Sequence, residues 1–399
     1  MIGRVDVVVP KIRVLLLSSI IPANTYGGPL VLHRHLREQN DLEVLEIGDK
    51  DVVGQRASLL DRAVTRLTRT RFRQVALHLK HLRGESLPSE VESRINRFDP
   101  QVVLTVAHGR LFWLALKFAR RRRLPLVSIF HDWWPHLAKN HLGGISDYTA
   151  KLVERRFRTL YRLSDCVLPV CPGMQESLGQ HSNCTVVPPI PPKIDPTAEV
   201  EAGFGCKSNR RIVYSGNMTS GYGSALRCLL AASGSLRSSF QFVGGASDWP
   251  DSVASVARNE GILSHGMIPE SDLKLALSNS LALLVTLPFE IDPEIYQRTS
   301  FPSKLMSYLQ YGRPIVFWGP NYSSIIRWAK ENGAKAVFDN KDPAELIHFL
   351  EKLKVTPERE NELCQESHRL RALFCPQLIQ QIFINAIHTT LDMTSCRGR

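Results

Sequence analysis

Residues 12–28 read Ile-Arg-Val-Leu-Leu-Leu-Ser-Ser-Ile-Ile-Pro-Ala-Asn-Thr-Tyr-Gly-Gly. The short apolar run that opens this stretch reads as a buried strand, ended by Pro22 and the turn from Asn24 to Gly28. Pro29 near a first helical position, with Leu30, Leu32 and Leu36 behind it, starts a helix. Strand, glycine loop and helix together open an α/β unit of nucleotide-binding type. The alternation continues with strands expected at 102–106, 126–130 and 166–170, and helices at 111–123 and 150–163. Five prolines at 188, 189, 191, 192 and 196 then exclude any helix or central strand. Past them the pattern restarts. Strands are expected at 211–215, 240–243, 281–286, 314–317 and 336–338, and helices from about Ser224 and over 303–311. The expected organisation is a first domain over 1–187, a linker over 188–203 and a second domain over 204–375. A helical tail over 376–399 is expected to pack back toward the first domain.

The 399 residues, 43% hydrophobic and 22% charged, suffice for two or three domains, each with its own core. Gly and Pro together make about 12%, which excludes collagen and wholesale disorder. The longest apolar runs fall far short of the roughly 18–20 residues of a membrane-spanning helix. Lys11 and Arg13 before the apolar residues 14–21 imitate a signal peptide, but a buried strand accounts for the same residues. Eight cysteines contain no C-x-x-C pair and no zinc spacing, so reduced thiols in the cytoplasm are expected. Net charge is uneven. Residues 1–190 hold 28 Lys/Arg against 17 Asp/Glu, or +11, while 191–399 hold 22 against 21, or +1. The first half should therefore meet something anionic: a phospholipid surface, a nucleic acid or a phosphorylated substrate.

Four stretches carry candidate chemistry. Gly27-Gly28 lets backbone N–H groups approach a phosphate or a sugar, or simply makes a tight turn. His131-Asp132 follows the strand at 126–130, where open sheets place their ligand crevice; the pair is an acid/base or hydroxyl-binding candidate, or a capping Asp among packed tryptophans. His108-Gly109 ends the preceding strand and faces the same crevice. In Phe301-Pro-Ser-Lys-Leu-Met-Ser-Tyr-Leu-Gln-Tyr-Gly-Arg-Pro-Ile-Val316, Lys304 stands in the first turn of a helix that starts at Ser303. A cation there opposes the helix dipole unless an anion is expected, so the pair reads as a diphosphate site. Arg62, Arg66, Arg69, Arg71, Arg73, Lys80 and Arg83 share an expected amphipathic helix with Leu60, Val64, Leu67, Val75 and Leu79. Such a helix contacts a membrane surface or polyanion, or is a solvated face. Phe72 is the one aromatic residue among these arginines, too few for a base-stacking platform, so nucleic acid is not the expected partner.

Taken in order, these stretches resemble the GT-B glycosyltransferases, in particular the retaining enzymes of family 4. The resemblance also rests on Asp99-Pro100-Gln-Val-Val, Leu163-Ser-Asp-Cys-Val-Leu, Tyr214-Ser-Gly-Asn217, Val243-Gly244-Gly245 and His265-Gly266-Met-Ile-Pro. It implies two doubly wound Rossmann-like domains facing a central cleft, with a nucleotide sugar held mainly by the second and the acceptor by the first. The family's essential histidine falls on His131, beside Asp132. Donor contacts fall on Gly28, Gly216, Asn217, Arg298, Thr299, Ser303, Lys304 and Ser307, with the base beside Met267 and Ile268. The resemblance implies no cofactor and no metal.

Two departures stand out. The family commonly carries two glutamates eight residues apart, where this chain has Thr299 and Ser307. Its basic pair after the first strand of the second domain is reduced to Asn217, with no lysine in 218–223. Glu290, Glu294 and Arg298 are nearby replacements. The expected activity is hexosyl transfer from a nucleotide-diphosphate sugar to a glycan or lipid-linked acceptor, with retention, in cell-surface polysaccharide or glycoconjugate synthesis. The chain is expected in the cytoplasm, peripheral on the inner face of the membrane through Arg62, Arg66, Arg69 and Arg73. A GT-B sugar-nucleotide epimerase, an inactive binding subunit and a nucleic-acid-binding protein are the alternatives.

Overall fold

A computed structural model describes residues 11–25, 27–37, 41–52, 64, 66–83, 85–141, 144–192, 210–245, 247–264, 266–290 and 294–397. Two compact units divide the chain: Met1–Pro188 with Ile379–Arg399, and Pro189–Leu378. The boundary falls inside the proline run, and the C-terminal segment from Ile379 is part of the first unit.

Unit 1 holds a five-stranded parallel sheet: β1 (Ile12–Leu17), β2 (Leu42–Ile47), β3 (Val102–Val106), β4 (Leu126–Phe130) and β5 (Cys166–Pro169), in the order β2-β1-β3-β4-β5. β3, β4 and β5 are buried throughout and β1 nearly so, because helices cover both faces of a parallel sheet. The helices are α1 (Gly28–Leu36), α2 (Asp49–Val52), α3 (Arg73–Arg83), α4 (Ser89–Phe98), α5 (Leu111–Arg122), α6 (Trp134–His141), α7 (Asp147–Leu163) and α8 (Pro172–Leu178). Ser146 caps α7 by accepting from Thr149 N–H, and its apolar stripe of Val153, Phe157, Leu160 and Tyr161 is buried.

The continuous basic helix expected through 62–83 is not formed. Residues 68–72 are turns, and helix resumes only at Arg73. Thr70 is the local cause: its hydroxyl donates to Leu67 O at 2.8 Å and accepts from Phe72 N–H at 3.2 Å, competing with the helical pattern. Arg62 lies outside the described residues, as do His265 and 193–203 of the expected linker.

Unit 2 repeats the plan with β6 (Ile212–Ser215), β7 (Phe240–Val243), β8 (Ala282–Thr286), β9 (Ile315–Trp318) and β10 (Val337–Phe338), ordered β10-β9-β8-β6-β7. Its helices are α9 (Ser220–Ala232), α10 (Asp251–Asn259), α11 (Glu270–Ser278), α12 (Ile295–Thr299), α13 (Lys304–Tyr308), α14 (Ser324–Glu331), α15 (Ala344–Val355) and α16 (Pro357–Ala372). A last helix, α17 (Pro376–Arg397), leads into unit 1. The expected helix at Ser224 begins four residues earlier, at Ser220. The expected helix over 303–311 is one α-turn followed by a 3-10 turn, stopped where Gly312 takes φ 59°.

In each sheet the first strand pairs with its successor on one side and with the third strand on the other. That reversal of strand order opens a crevice at the strand C-termini, between β1 and β3 in unit 1 and between β6 and β8 in unit 2.

An ion trio holds unit 2 together: Arg210 is paired with Glu360, and Arg313 Nη1 lies 3.9 Å from Glu360 Oε1. All three side chains are at least 85% buried. Glu360→Ala leaves two enclosed guanidinium groups without their carboxylate and should lower the stability of unit 2 by about 3–5 kcal/mol. Urea unfolding measures this; a loss below 1 kcal/mol would mean that the trio is held by water rather than by Glu360.

Candidate functional site

In unit 2 the chain turns sharply after β6. Gly216 takes φ 139°, and its N–H donates to Val243 O at 2.8 Å, so the loops after β6 and β7 run in contact. Gly244 must be glycine, because a Cβ there would collide with the Gly216 carbonyl oxygen. Over this backbone lies Lys304. Its Nζ sits 3.8 Å from the Tyr214 ring centroid and 5.3 Å from that of Tyr222, and a Cβ at Gly216 would be 3.2 Å from it. Tyr308, one turn further along α13, accepts the Ser215 N–H at 2.7 Å and so fastens that helix to the end of β6. Tyr214 OH donates to Asn217 O at 2.6 Å. No carboxylate pairs with Lys304 among the described residues, and burial pulls its ammonium pKa down to about 7. The two aromatic faces offset part of that desolvation.

Asn217, where the family has arginine, is tied into its own loop: its Oδ1 accepts Thr219 N–H at 3.0 Å and Thr219 Oγ1–H at 2.8 Å. Met267 is exposed, with Cγ 3.8 Å from where a Gly245 Cβ would lie, so it flanks the end of β7, and Ile268 follows it half-buried. Ser303 and Ser307 are half-buried, and Ser303 makes no side-chain cap.

The expected donor contact of Thr299 is corrected. Its side chain is fully buried and its hydroxyl donates to Ile295 O at 2.6 Å, inside its own helix. The proposed substitutes are also engaged. Glu290 pairs with Lys341, and Glu294 with Arg298 at 3.0 Å, while the Arg298 guanidinium lies 5.0 Å over Tyr322.

In unit 1 the switch-point crevice gathers Gly28 and His131: a Cβ on Gly28 would stand 3.8 Å from His131 Nδ1. That nitrogen is sealed from solvent and has no hydrogen-bond partner. Burial, with His108 adding to it, lowers the His131 pKa to about 4, so the ring is neutral near pH 7. His35 on α1 is buried too, its Nδ1 unpartnered and its pKa lowered to about 3 by burial and by His131. An enclosed ring nitrogen without a partner costs about 1–3 kcal/mol, the kind of expense that function retains. Asp132 leads into α6, its carbonyl accepting Trp134 N–H at 2.8 Å. Among the described residues no three His, Cys, Asp or Glu are grouped to hold a metal ion.

Sequence reasoning met Tyr214 and Gly244 only as parts of family-like stretches, without a role, and did not single out Tyr308 or His35. Tyr308 carried a signal, standing four residues after Lys304 on the same helical face. His35 carried none beyond a polar residue among the apolar positions of α1.

Residues 16–197 match the family model for Glycosyltransferase Family 4. The fold is GT-B, with two Rossmann-like domains. It is similar to the α,α-trehalose 6-phosphate synthase of Burkholderia multivorans, with 13% identity, 98% of each chain covered and TM-score 0.55. The α,α-trehalose-phosphate synthase of Burkholderia xenovorans, bound to glucose-6-phosphate, gives 10% identity, 94% and 100% coverage and TM-score 0.57. UDP-GlcNAc 2-epimerase of Neisseria meningitidis, bound to UDP-GlcNAc, gives 12% identity, 95% and 100% coverage and TM-score 0.51. No curated protein matches the chain by sequence.

The depressed Lys304 pKa has a measurable consequence. A bound diphosphate favours the ammonium and raises its pKa above the free value of about 7, so binding takes up a proton. Affinity should be full below that pH and fall by up to about tenfold per unit above it, until the pKa of the bound form is passed. Calorimetry in two buffers of different ionisation enthalpy should show proton uptake near pH 8 for the wild type and none for Lys304→Met. Equal uptake by both would dismiss Lys304 as the titrating group.

Proposed function

We propose that this chain is a glycosyltransferase that moves a sugar from a nucleotide-diphosphate sugar to a glycan or lipid-linked acceptor, in the synthesis of a cell-surface polysaccharide or glycoconjugate. The observation that carries this reading is Lys304, an ammonium with no carboxylate partner among the described residues, lying beside Gly216 at the switch point of a GT-B second domain. The missing counter-charge is the donor diphosphate. The Escherichia coli trehalose-6-phosphate protein bound to UDP-2-fluoro glucose and the Neisseria epimerase bound to UDP-GlcNAc support a nucleotide-diphosphate sugar as ligand.

Transfer asks little machinery of the protein. As the bond from the anomeric carbon to the phosphate oxygen breaks, negative charge grows on the diphosphate and positive charge on the sugar. Lys304 and the backbone donors of the loop after β6 bind the diphosphate harder as its charge grows, which lowers the barrier. The acceptor oxygen bonds to the anomeric carbon and its proton passes to the departing phosphate oxygen, on the same face of the sugar, so configuration is retained. Neutral His131, half-buried with its Nδ1 sealed, orients a sugar hydroxyl through its other ring nitrogen, and Asp132 holds the turn that presents it. Gly28 lets the chain approach the sugar. Met267 and Ile268 flank the base, while Asn217, Ser303 and Ser307 line the diphosphate and ribose.

A second reading, a nucleotide-sugar binder without turnover, is favoured by Thr299, a short, fully buried side chain where the family has a glutamate. Thermal shift against UDP, GDP and ADP and their sugars identifies the ligand, since saturation at 100 times Kd adds about 2.7 kcal/mol. Lys304→Met should weaken diphosphate binding by about 1.5–3 kcal/mol. His131→Ala should slow transfer or donor hydrolysis at least about tenfold with diphosphate affinity unchanged. A Lys304→Met protein that binds like the wild type sinks the donor-site reading. Binding with no turnover of any nucleotide sugar leaves the second reading, and an epimerised sugar released without acceptor makes the chain an epimerase.

A further inference from the structure

We infer that unit 1 docks on an anionic phospholipid surface by inserting the outer face of α3, with the turn before it supplying the cations. Phe72, Val75, Leu79 and Leu82 are 49%, 58%, 45% and 49% exposed. Their spacing of three, four and three residues sets them in one stripe along the helix. The opposite face is what holds α3 to the unit: Ala76 is fully buried, His81 nearly so, and the Arg156 guanidinium caps the helix by donating to the carbonyls of His81 and Leu82. His78 Nδ1 lies 3.0 Å from Thr149 Oγ1. The helix is thus fixed with its apolar stripe outward, the reverse of the usual arrangement.

Charge selects the occupant. Residues 64–83 contain six Lys/Arg and no Asp or Glu. Arg66, Arg69 and Arg71 are exposed, and none is paired with a carboxylate among the described residues. The Arg71 guanidinium lies 5.0 Å over the Phe72 ring, joining the cationic edge to the apolar one. A protein partner would cover the stripe equally well but gives no reason for unpaired arginines at its edge. Anionic headgroups answer the arginines while acyl chains take the stripe. Tyr148, 72% exposed and 4.7 Å from the His78 ring, stands beside it as an amphipathic aromatic suited to the headgroup level. Among the described residues no helix is long and apolar enough to cross a membrane, so this is attachment along the surface.

The full chain is sedimented with vesicles of phosphatidylcholine alone and with one-third phosphatidylglycerol, without nucleotide, so the outcome is independent of the donor site. Binding should favour the anionic vesicles by at least about tenfold and fall with added salt. Val75→Ser/Leu79→Ser should weaken it about tenfold or more, since two inserted side chains are lost. Arg66→Gln/Arg69→Gln/Arg71→Gln should abolish the preference for anionic lipid. All five positions are exposed, and matching circular dichroism and melting confirm that the variants fold. No binding to either vesicle, or wild-type binding by the Val75/Leu79 variant, overturns the proposal. So does a lipid-free self-association that the same variant dissolves, which would make the stripe a contact between copies, or a preference for RNA over the anionic vesicles.

Discussion

An ammonium group enclosed by two aromatic rings and a glycine turn, with no carboxylate beside it among the described residues, is the constraint that unit 2 is built around. Lys304 is on a single helical turn, too short to hold a position by its own hydrogen bonds. Tyr308 fixes that turn to β6 through Ser215 N–H, and Tyr214 fixes the following loop through Asn217 O. Gly216 and Gly244 let two loops and a side-chain amine share a space that any Cβ would fill. The arrangement keeps a cation partly desolvated, and the two ring faces offset part of that cost.

Unit 1 solves a related problem with neutral groups. His35 and His131 have their ordinary basicity removed by enclosure, so neither brings charge into the crevice after β1 and β4 near neutral pH. Two imidazoles in close quarters would repel each other if both were protonated. What remains is a pair of rings that accept or donate hydrogen bonds without attracting counter-ions.

The strands were legible because burial on both faces writes them as unbroken apolar runs, and 102–106 and 126–130 match to the residue. Helix ends were less so. Ser220, at φ 56°, starts α9 from a strained position that no local pattern announces, and Thr70 breaks a basic helix by a hydrogen bond invisible to periodicity. At the site, Lys304 was readable from its place in a first turn. The inward turn of Thr299 was not, since a threonine and a glutamate at one position differ in reach rather than in pattern. The apolar residues of α3 were read as one side of an amphipathic helix, either a surface contact or the underside of a solvated face. Periodicity shows that such a face exists, but not which way it points.

The C-terminal helix raises a point about order of assembly. Ile379–Arg399 belongs to unit 1, whose remaining residues end at Pro188, and the whole of unit 2 is made in between. Phe383 on this helix packs 5.0 Å from the ring of His35, and Thr390 takes the side-chain amide of Asn183 at 3.5 Å. On the ribosome, therefore, unit 1 emerges first yet is completed last. Until α17 arrives the His35 ring lacks the Phe383 ring that packs on it, so this part of the unit 1 core closes only when synthesis has passed through the entire second unit.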